Sequence, residues 1–297
     1  MKKIVVIGSL NMDLITRTDR VPVMGETLSG LSFQTVCGGK GGNQAFAAGR
    51  LAGSVTMLGC VGNDVFGQTL IASLESANVD CSHIRVCEGE SGTASITVCQ
   101  GDNSIIIIPG ANGKVSIEYI EENLSLIDSA DMLILQLEIP LETVEYIIGY
   151  AASKNIPVML NPAPAAALPE QIFKQTSYMI VNETECEFYT GVHITNIEEA
   201  KQGITKLLHM GVKTGIVTLG SQGAVYNCAD QLFHVPAQKV KAVDSTAAGD
   251  TFTAAIAVAL LEGSSVHEAM EFATKASAIV VTRMGAQTSI PDRIEIG

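Results

Sequence analysis

Tryptophan is absent from the chain, and the other aromatics are few, with six Tyr and eight Phe in 297 residues. Proteins that hold single-stranded nucleic acid do so on aromatic stacking platforms, so that class of function is disfavoured. Basic residues are scarce as well. There are 18 Lys and Arg against 31 Asp and Glu, for a net charge of −13 and a pI near 4.8. Phosphodiester backbones and anionic membrane surfaces repel such a chain, so neither nucleic acid nor a membrane is expected as a partner. A small anionic ligand stays compatible, because a few local amides and cations outweigh a distant field.

Long hydrophobic runs are also missing. The longest stretch without a charged side chain, Thr214 to Ala229, spans 16 residues and is interrupted by Gly215, Gly220 and Gly223. A bilayer span needs about 20 apolar residues. The opening MKKIVVIGSLNMD has two lysines and a short apolar run broken by Gly8, Asn11 and Asp13. It reads as a first strand and not as a signal peptide. The seven cysteines (37, 60, 81, 87, 99, 186 and 228) include no C-x-x-C pair and are odd in number. Reduced core thiols, and hence a cytoplasmic protein, are expected. The five histidines are scattered without ligand spacing, which argues against a zinc site.

What is present is a glycine-rich, hydrophobic chain: 28 Gly, 47% hydrophobic residues and a mean hydropathy of +0.30. That supports a sizeable core in one large α/β domain or two smaller ones. Lys2 to Ile7 is a short β-branched run of the buried-strand type. Asn43 to Leu51 is helical in composition, and beyond it strand and helix alternate. Residues 55–62 precede a helix at 66–77, 132–137 precede 141–153, and 178–182 precede a helix from Glu183. Two helices, 249–262 and 266–284, close the chain. Such alternation predicts a mostly parallel sheet covered by helices. Two segments, 13–36 and 93–109, alternate apolar and polar residues around turns and predict antiparallel hairpins. They are expected to form a small lid on a body made of 1–12, 37–92 and 110–297.

Three constellations can carry chemistry. Gly38-Gly39-Lys40-Gly41-Gly42-Asn43 brings amides and an ammonium to a helix start. It is neither a P-loop nor a dinucleotide fingerprint, since Gly41 follows Lys40 and G-x-G-x-x-G fails at Gln44. Plain turn punctuation is the alternative reading. Asp244-Ser245-Thr246-Ala247-Ala248-Gly249-Asp250 places tiny residues before a helix, so the amides of Ala247, Ala248 and Gly249 can face an anion. Asp250 can accept a proton there, or simply cap the helix. Asn182 and Glu185, at a strand end turning into a helix, suit either water-mediated Mg²⁺ or an N-cap with an acidic first turn. Thr218 to Gly223 forms a further glycine turn. Asn11, Asp13 and Glu138 stand just beyond strands, where ligands of α/β sheets bind.

In this order, IGSLNMD (7–13), VMGET (23–27), GGKGGNQA (38–45), GNDVFG (62–67), LNPAPA (160–165), VNETE (181–185), TLGSQG (218–223), DSTAAGDTF (244–252) and VTRMGAQTSIP (281–291) are similar to the motifs of the ribokinase-like (PfkB) sugar kinase family. The resemblance runs nearly end to end. It implies a Rossmann-like α/β body with a small antiparallel β lid and a homodimer formed lid to lid. It also implies ATP-dependent phosphorylation of D-ribose at O5, with Mg²⁺ and activation by K⁺. On the matching positions, Asn11, Asp13, Gly39, Lys40, Asn43 and Glu138 would bind sugar hydroxyls. Asp250 would be the base, and Ala247, Ala248 and Gly249 the anion hole. Asn182 and Glu185 would position Mg²⁺ and phosphate through water. The nucleotide would meet Thr218, Gly220, Ser221, Gly223, Gly249 and Thr274. K⁺ would be held by Asp244, Thr246, Val280, Arg283, Gly285 and Ser289, mostly through backbone oxygens.

Gln222, Thr274 and Val280 depart from the pattern, standing where Arg, His and Ala are common in the family. Kinases for deoxyribose or a nucleoside share the chemistry. A non-catalytic sugar sensor shares the fold, but the intact Asp250 and glycine run speak for the kinase. A nicotinamide dehydrogenase would need the G-x-G-x-x-G turn that the chain lacks.

Overall fold

The computed structural model describes residues 2–100 and 102–297. Strands β1 (Lys3–Ile7), β2 (Asn11–Arg17) and β3 (Ser32–Gly38) lead into helix α1 (Lys40–Arg50). Then come β4 (Ser54–Gly62), α2 (Val65–Ser76), β5 (Ile84–Cys87), β6 (Gly92–Cys99) and β7 (Asp102–Ile108). Short helices α3 (Ile117–Glu121) and α4 (Leu124–Asp128) precede β8 (Met132–Leu135), α5 (Leu141–Lys154), β9 (Val158–Leu160) and α6 (Glu170–Gln175). After β10 (Tyr178–Val181) follow α7 (Glu183–Thr190), α8 (Ile197–His209), β11 (Thr214–Thr218), β12 (Ala224–Cys228) and β13 (Gln231–Val235). Helices α9 (Ala248–Glu262), α10 (Val266–Val280) and α11 (Arg293–Ile296) complete the chain.

Nine strands form the large sheet, in the order β13-β12-β11-β10-β9-β8-β1-β4-β5. Neighbours from β11 to β5 run parallel, and the pairs β11–β12 and β12–β13 at the far edge are antiparallel. The strands read as continuous apolar runs because both faces are covered. Ile4, Val6, Met57 and Ile134 point toward α1, α9 and α10, whereas Val5, Ile7, Leu58 and Leu133 point toward α5. Each such side chain contributes about 1.5–3 kcal/mol by leaving water. The chain builds to one side of β1 through β4 and β5, then to the other side through β8. The carboxyl ends of β1 and β8 therefore flank a topological switch point, where a crevice opens between diverging connections.

The second sheet, β3-β2-β6-β7, stands over that crevice. It contains two antiparallel hairpins, as the alternation predicts. They join along β2 and β6, which run parallel from Asn11↔Gly92 to Arg17↔Val98. Asn11, Asp13, Ile15 and Arg17 share the face toward the body.

Two boundaries differ from the sequence pattern. Helix α1 begins at Lys40, three residues before Asn43, because the glycines that look like a loop let its first turn lie against the end of β1. Helix α10 stops at Val280, not Met284, since the Val281 carbonyl turns aside to accept the amides of Val243 (2.7 Å) and Asp244 (3.3 Å). The strands β5, β12 and β13 carry no clear signal in the sequence.

A Cβ on Gly41 would fall 2.6 Å from the Ser9 nitrogen and 2.7 Å from the Gly8 carbonyl carbon, backbone atoms that cannot step aside. Gly41→Ala should therefore cost about 1–3 kcal/mol, seen as a lower urea midpoint at unchanged slope. Gly249→Ala, with nothing within 4 Å of the added methyl, should change stability in the same titration by less than about 1 kcal/mol.

Candidate active site

At the switch point, Gly39 caps α1 with a φ of 82°, and a Cβ there would lie 2.7 Å from the Asn11 nitrogen. Only glycine combines that backbone with so close an approach. The turn draws Glu138 in from beyond β8. Its carboxylate accepts the Lys40 amide at 3.0 Å and the Ser9 hydroxyl, and Ser9 Oγ in turn accepts the Gly41 amide at 3.3 Å. Asn11 is buried, and its Oδ1 accepts Nδ2 of Asn112 at 2.7 Å, while Asn112 Oδ1 accepts the Leu10 amide at 2.8 Å. Asn112 lies in no motif, and Ser9, within the 7–13 motif, has no role read from sequence. The bonds Ser9–Glu138 and Asn112–Leu10 join positions more than a hundred residues apart, which no local pattern signals.

Across the crevice, α9 starts without a side-chain cap. Ala247 precedes it at φ 61°, a left-handed conformation that costs a non-glycine residue about 1–2 kcal/mol. Among the described residues, the amides of Ala247 and Gly249 have no acceptor, whereas that of Ala248 donates to the Ser245 carbonyl at 3.2 Å. Asp250 is buried in the first turn. Asn43 Nδ2 donates to its Oδ2 at 3.0 Å, and Gln44 Nε2 donates to its Oδ1 at 2.9 Å. Gln44 is itself held by Gln136 Nε2, which donates to Gln44 Oε1 at 2.6 Å. Asp250 thus caps no amide of its own helix. Its carboxylate is fixed in orientation with lone pairs still free to accept a proton.

The loop 244–250 separates two cavities. One, of about 540 Å³, is polar, lies under the lid, and is lined by Asn11, Asp13, Gly39, Lys40, Asn43, Glu138 and Asp250. The other, of about 320 Å³, is lined by the turn Thr218, Gly220, Ser221 and Gly223 and by Val240, Ala242, Phe252 and Thr274. Gly249 faces this second cavity and Ala247 the first. All the residues read from sequence as sugar-binding therefore share one cavity, and the six read as meeting the nucleotide, Thr218, Gly220, Ser221, Gly223, Gly249 and Thr274, share the other. The connection after β13, from Ala237 to Ala242, also lines the second cavity, a role its sequence does not signal.

The charges in the first cavity are concentrated. Burial, together with the negative charges of Glu138 and Asp250, pushes the Asp13 carboxyl up to about 7. Burial works against the Lys40 ammonium, yet Asp250, Glu138 and Glu185 outweigh it and hold the group above its ordinary range. Burial also raises Glu185, against hydrogen bonding from Asn182 and the charge of Lys40.

Asn182 and Glu185 form a capping box at the start of α7. Asn182 Oδ1 accepts the Glu185 amide at 2.8 Å and Glu185 Oε2 accepts the Asn182 amide at 2.9 Å. Of the two readings open from sequence, the cap is present, and one carboxylate oxygen remains for a further partner. Among the described residues no group of three His, Cys, Asp or Glu side chains gathers to ligate a metal directly. Elsewhere, Asp244 accepts the amide and hydroxyl of Thr246 (2.9 and 2.6 Å) and the Gly285 amide (3.0 Å). Burial opposes its ionisation, but these bonds win and its pKa lies below the ordinary carboxylate range. Val280 and Ser289 are buried beside this junction, while the Arg283 guanidinium turns outward to Glu295.

The family model of the pfkB family carbohydrate kinases matches residues 1–293. The chain is 40% identical over its full length to ribokinase of Bacillus subtilis, covering 98% of that protein. It is 39% identical to deoxyribokinase of Salmonella typhi over 97% of this chain and 95% of that one. Among solved structures it superposes on Arabidopsis thaliana ribokinase complexed with ribose and ATP, with a TM-score of 0.92 and 32% identity over 100% of this chain and 98% of that one. Ribokinase of Thermotoga maritima gives a TM-score of 0.90 and 38% identity with the same coverage. With the glycine turn, the small-residue run and the two cavities in their places, the chain belongs to the pfkB family of carbohydrate kinases.

Proposed function

We propose that the protein transfers the γ-phosphate of ATP to O5 of D-ribose, giving D-ribose 5-phosphate and ADP. The observation that carries this reading is the Asp250 carboxylate, held by two amide donors at the boundary between a polar and a largely apolar cavity. The sugar lies in the first cavity, its hydroxyls donating to Asp13 and Glu138 and accepting from Lys40 and Asn43. Its 5-hydroxyl gives its proton to Asp250 as the oxygen attacks phosphorus, and ADP leaves. The amides of Ala247 and Gly249 and the dipole of α9 stabilise the charge spread over the phosphoryl oxygens. The adenine ring occupies the second cavity between Val240 and Thr274. There Thr274 offers a methyl group, since its hydroxyl is spent on the Met270 carbonyl at 2.8 Å.

Two ions fit the donor chemistry. Glu185 and Asn182 would hold Mg²⁺ through water, consistent with a capping box that leaves one carboxylate oxygen free. The loops at Asp244–Thr246 and Val280–Ser289, tied at Gly285, offer a carboxylate and several peptide oxygens, a hard donor set suited to K⁺. When bound, Mg²⁺ neutralises the phosphate oxygens and K⁺ firms the loop that carries the anion hole. The outer face of the lid leaves Phe33, Ile106 and Ile108 exposed, and we read it as the surface on which two copies pair, forming a homodimer. All seven cysteines are free thiols, which fits a reducing, ATP-containing cytoplasm.

A second acceptor, 2-deoxyribose, is favoured by the deoxyribokinase relative. Asp13 separates the two, because a buried carboxylate that accepts two vicinal hydroxyls loses a partner when one is absent.

Asp250→Asn should lower kcat for ribose by about 10²–10⁴ while the Kd for ribose changes less than about tenfold. Stopped-assay ADP release and calorimetry measure the two, and an equal loss of both would make Asp250 a structural residue. Asp13 supplies a pH signature. Between its unfolded value near 3.8 and its folded value of about 7, the folded protein holds a proton that the unfolded chain has lost. Stability without sugar should therefore fall as pH rises through that window, and Asp13→Asn should recover roughly 2–4 kcal/mol at pH 8. Ribose affinity should move the opposite way, strengthening from pH 6 to pH 8 in the parent and not in the variant.

A further inference from the structure

Arg17 ends β2 on the face that looks onto the first cavity, in line with Asn11, Asp13 and Ile15. The other five arginines each pair with a carboxylate: Arg20 with Glu26, Arg50 with Asp292, Arg85 with Glu122, Arg283 with Glu295 and Arg293 with Glu262. Among the described residues, no carboxylate oxygen lies within 4.0 Å of the Arg17 guanidinium. In a chain with a net charge of −13 that is an unusual state for a half-buried arginine. It lines the same cavity as the loop Asp244–Thr246.

The cavity itself supplies the reason. Its wall carries the carboxyl groups of Asp13, Asp102, Glu138, Asp244 and Asp250 against only two cations, Lys40 and Arg17. Lys40 is already engaged by the fields of Asp250, Glu138 and Glu185. A phosphoryl group entering this wall from the nucleotide side adds negative charge to a surplus of it, and phosphoryl transfer depends on neutralising such charge. Among the described residues, neither cation has a carboxylate oxygen within 4.0 Å, and of the two only Arg17 carries a planar fork that matches two phosphate oxygens. The lid stands open over the cavity, with Ile105 and Ile107 of its inner face 50% and 45% exposed. Burying them against a bound sugar would bring Arg17 down toward the anion hole.

We propose that Arg17 is the lid cation that meets the phosphoryl group on its sugar side, touching the γ-phosphate in transit and the 5-phosphate of the product. The assignment rests on the ribose kinase reading given above. Calorimetry with D-ribose and with D-ribose 5-phosphate, alongside ADP release, tests it on Arg17→Ala and Arg17→Lys. Arg17→Ala should weaken D-ribose 5-phosphate by about tenfold or more, leave D-ribose within about threefold, and lower kcat by about tenfold. Arg17→Lys should restore part of both losses, because it returns the charge without the fork. Equal weakening of the two sugars, or of neither, overturns the assignment. If the parent protein turns over ribose while Arg17→Ala keeps full rate and full product affinity, the Arg17 role alone fails. If the parent protein neither binds nor phosphorylates ribose, the functional reading fails and takes this assignment with it.

Discussion

The junction between α1 and α9, where two side-chain amides meet the buried Asp250 carboxylate, fixes much else in the molecule. A carboxylate deprived of water needs compensating donors, and here they come from consecutive positions, Asn43 and Gln44, on a helix more than 200 residues earlier. For both to reach Asp250, the first turn of α1 must lie flat against the end of β1, which is why Gly41 stands where a side chain would collide. For Asp250 to face them, α9 must begin without a capping side chain, and Ala247 must take a left-handed turn. The strain in that turn and the unmet amides beside it are sustained by the packing of α9, an Ala-rich helix buried over most of its length.

The same geometry concentrates negative charge. Burial and the charges of Glu138 and Asp250 raise the cost of ionising Asp13, while the same two carboxylates and Glu185 hold the Lys40 ammonium in its charged form. Such crowding lowers the stability of the empty protein but creates a cavity whose acceptors are satisfied by hydroxyl donors. A sugar is the ligand that supplies several at once. The apolar second cavity, by contrast, selects shape more than charge. The boundary loop keeps the two kinds of recognition apart and lets them meet at one carboxylate.

Much of this was legible in the sequence because its key segments are compositionally strange. Four glycines around Lys40 and the run of tiny residues before Asp250 serve no ordinary helix or strand, so their oddity points to ligand contact. The apolar strands and the two alternating hairpins follow directly from burial on two faces or one. The supporting residues are silent for the opposite reason. Ser9, Gln44, Asn112 and Gln136 are common polar residues whose partners are remote in the chain, and only the fold brings them together. Arg17 looks like any polar position of an alternating strand; its lack of an ion pair appears only when the other arginines have found theirs. The edge strands β12 and β13 are short and carry no pattern long enough to separate them from turns.

The switch point at β1 also governs when the site can come into being during synthesis. Asn11 and Lys40 emerge early, but Asp250 and the loop tied at Gly285 are made more than 200 residues later. The first half of a nascent chain therefore holds carboxylates and glycines meant for a pocket whose other wall does not yet exist. The hydrophobic surface that α9 and α10 cover on β1 and β4 stays open until then. Exposure to aggregation is therefore greatest when nearly all of the sheet has formed and the covering helices α9 and α10 are still to arrive.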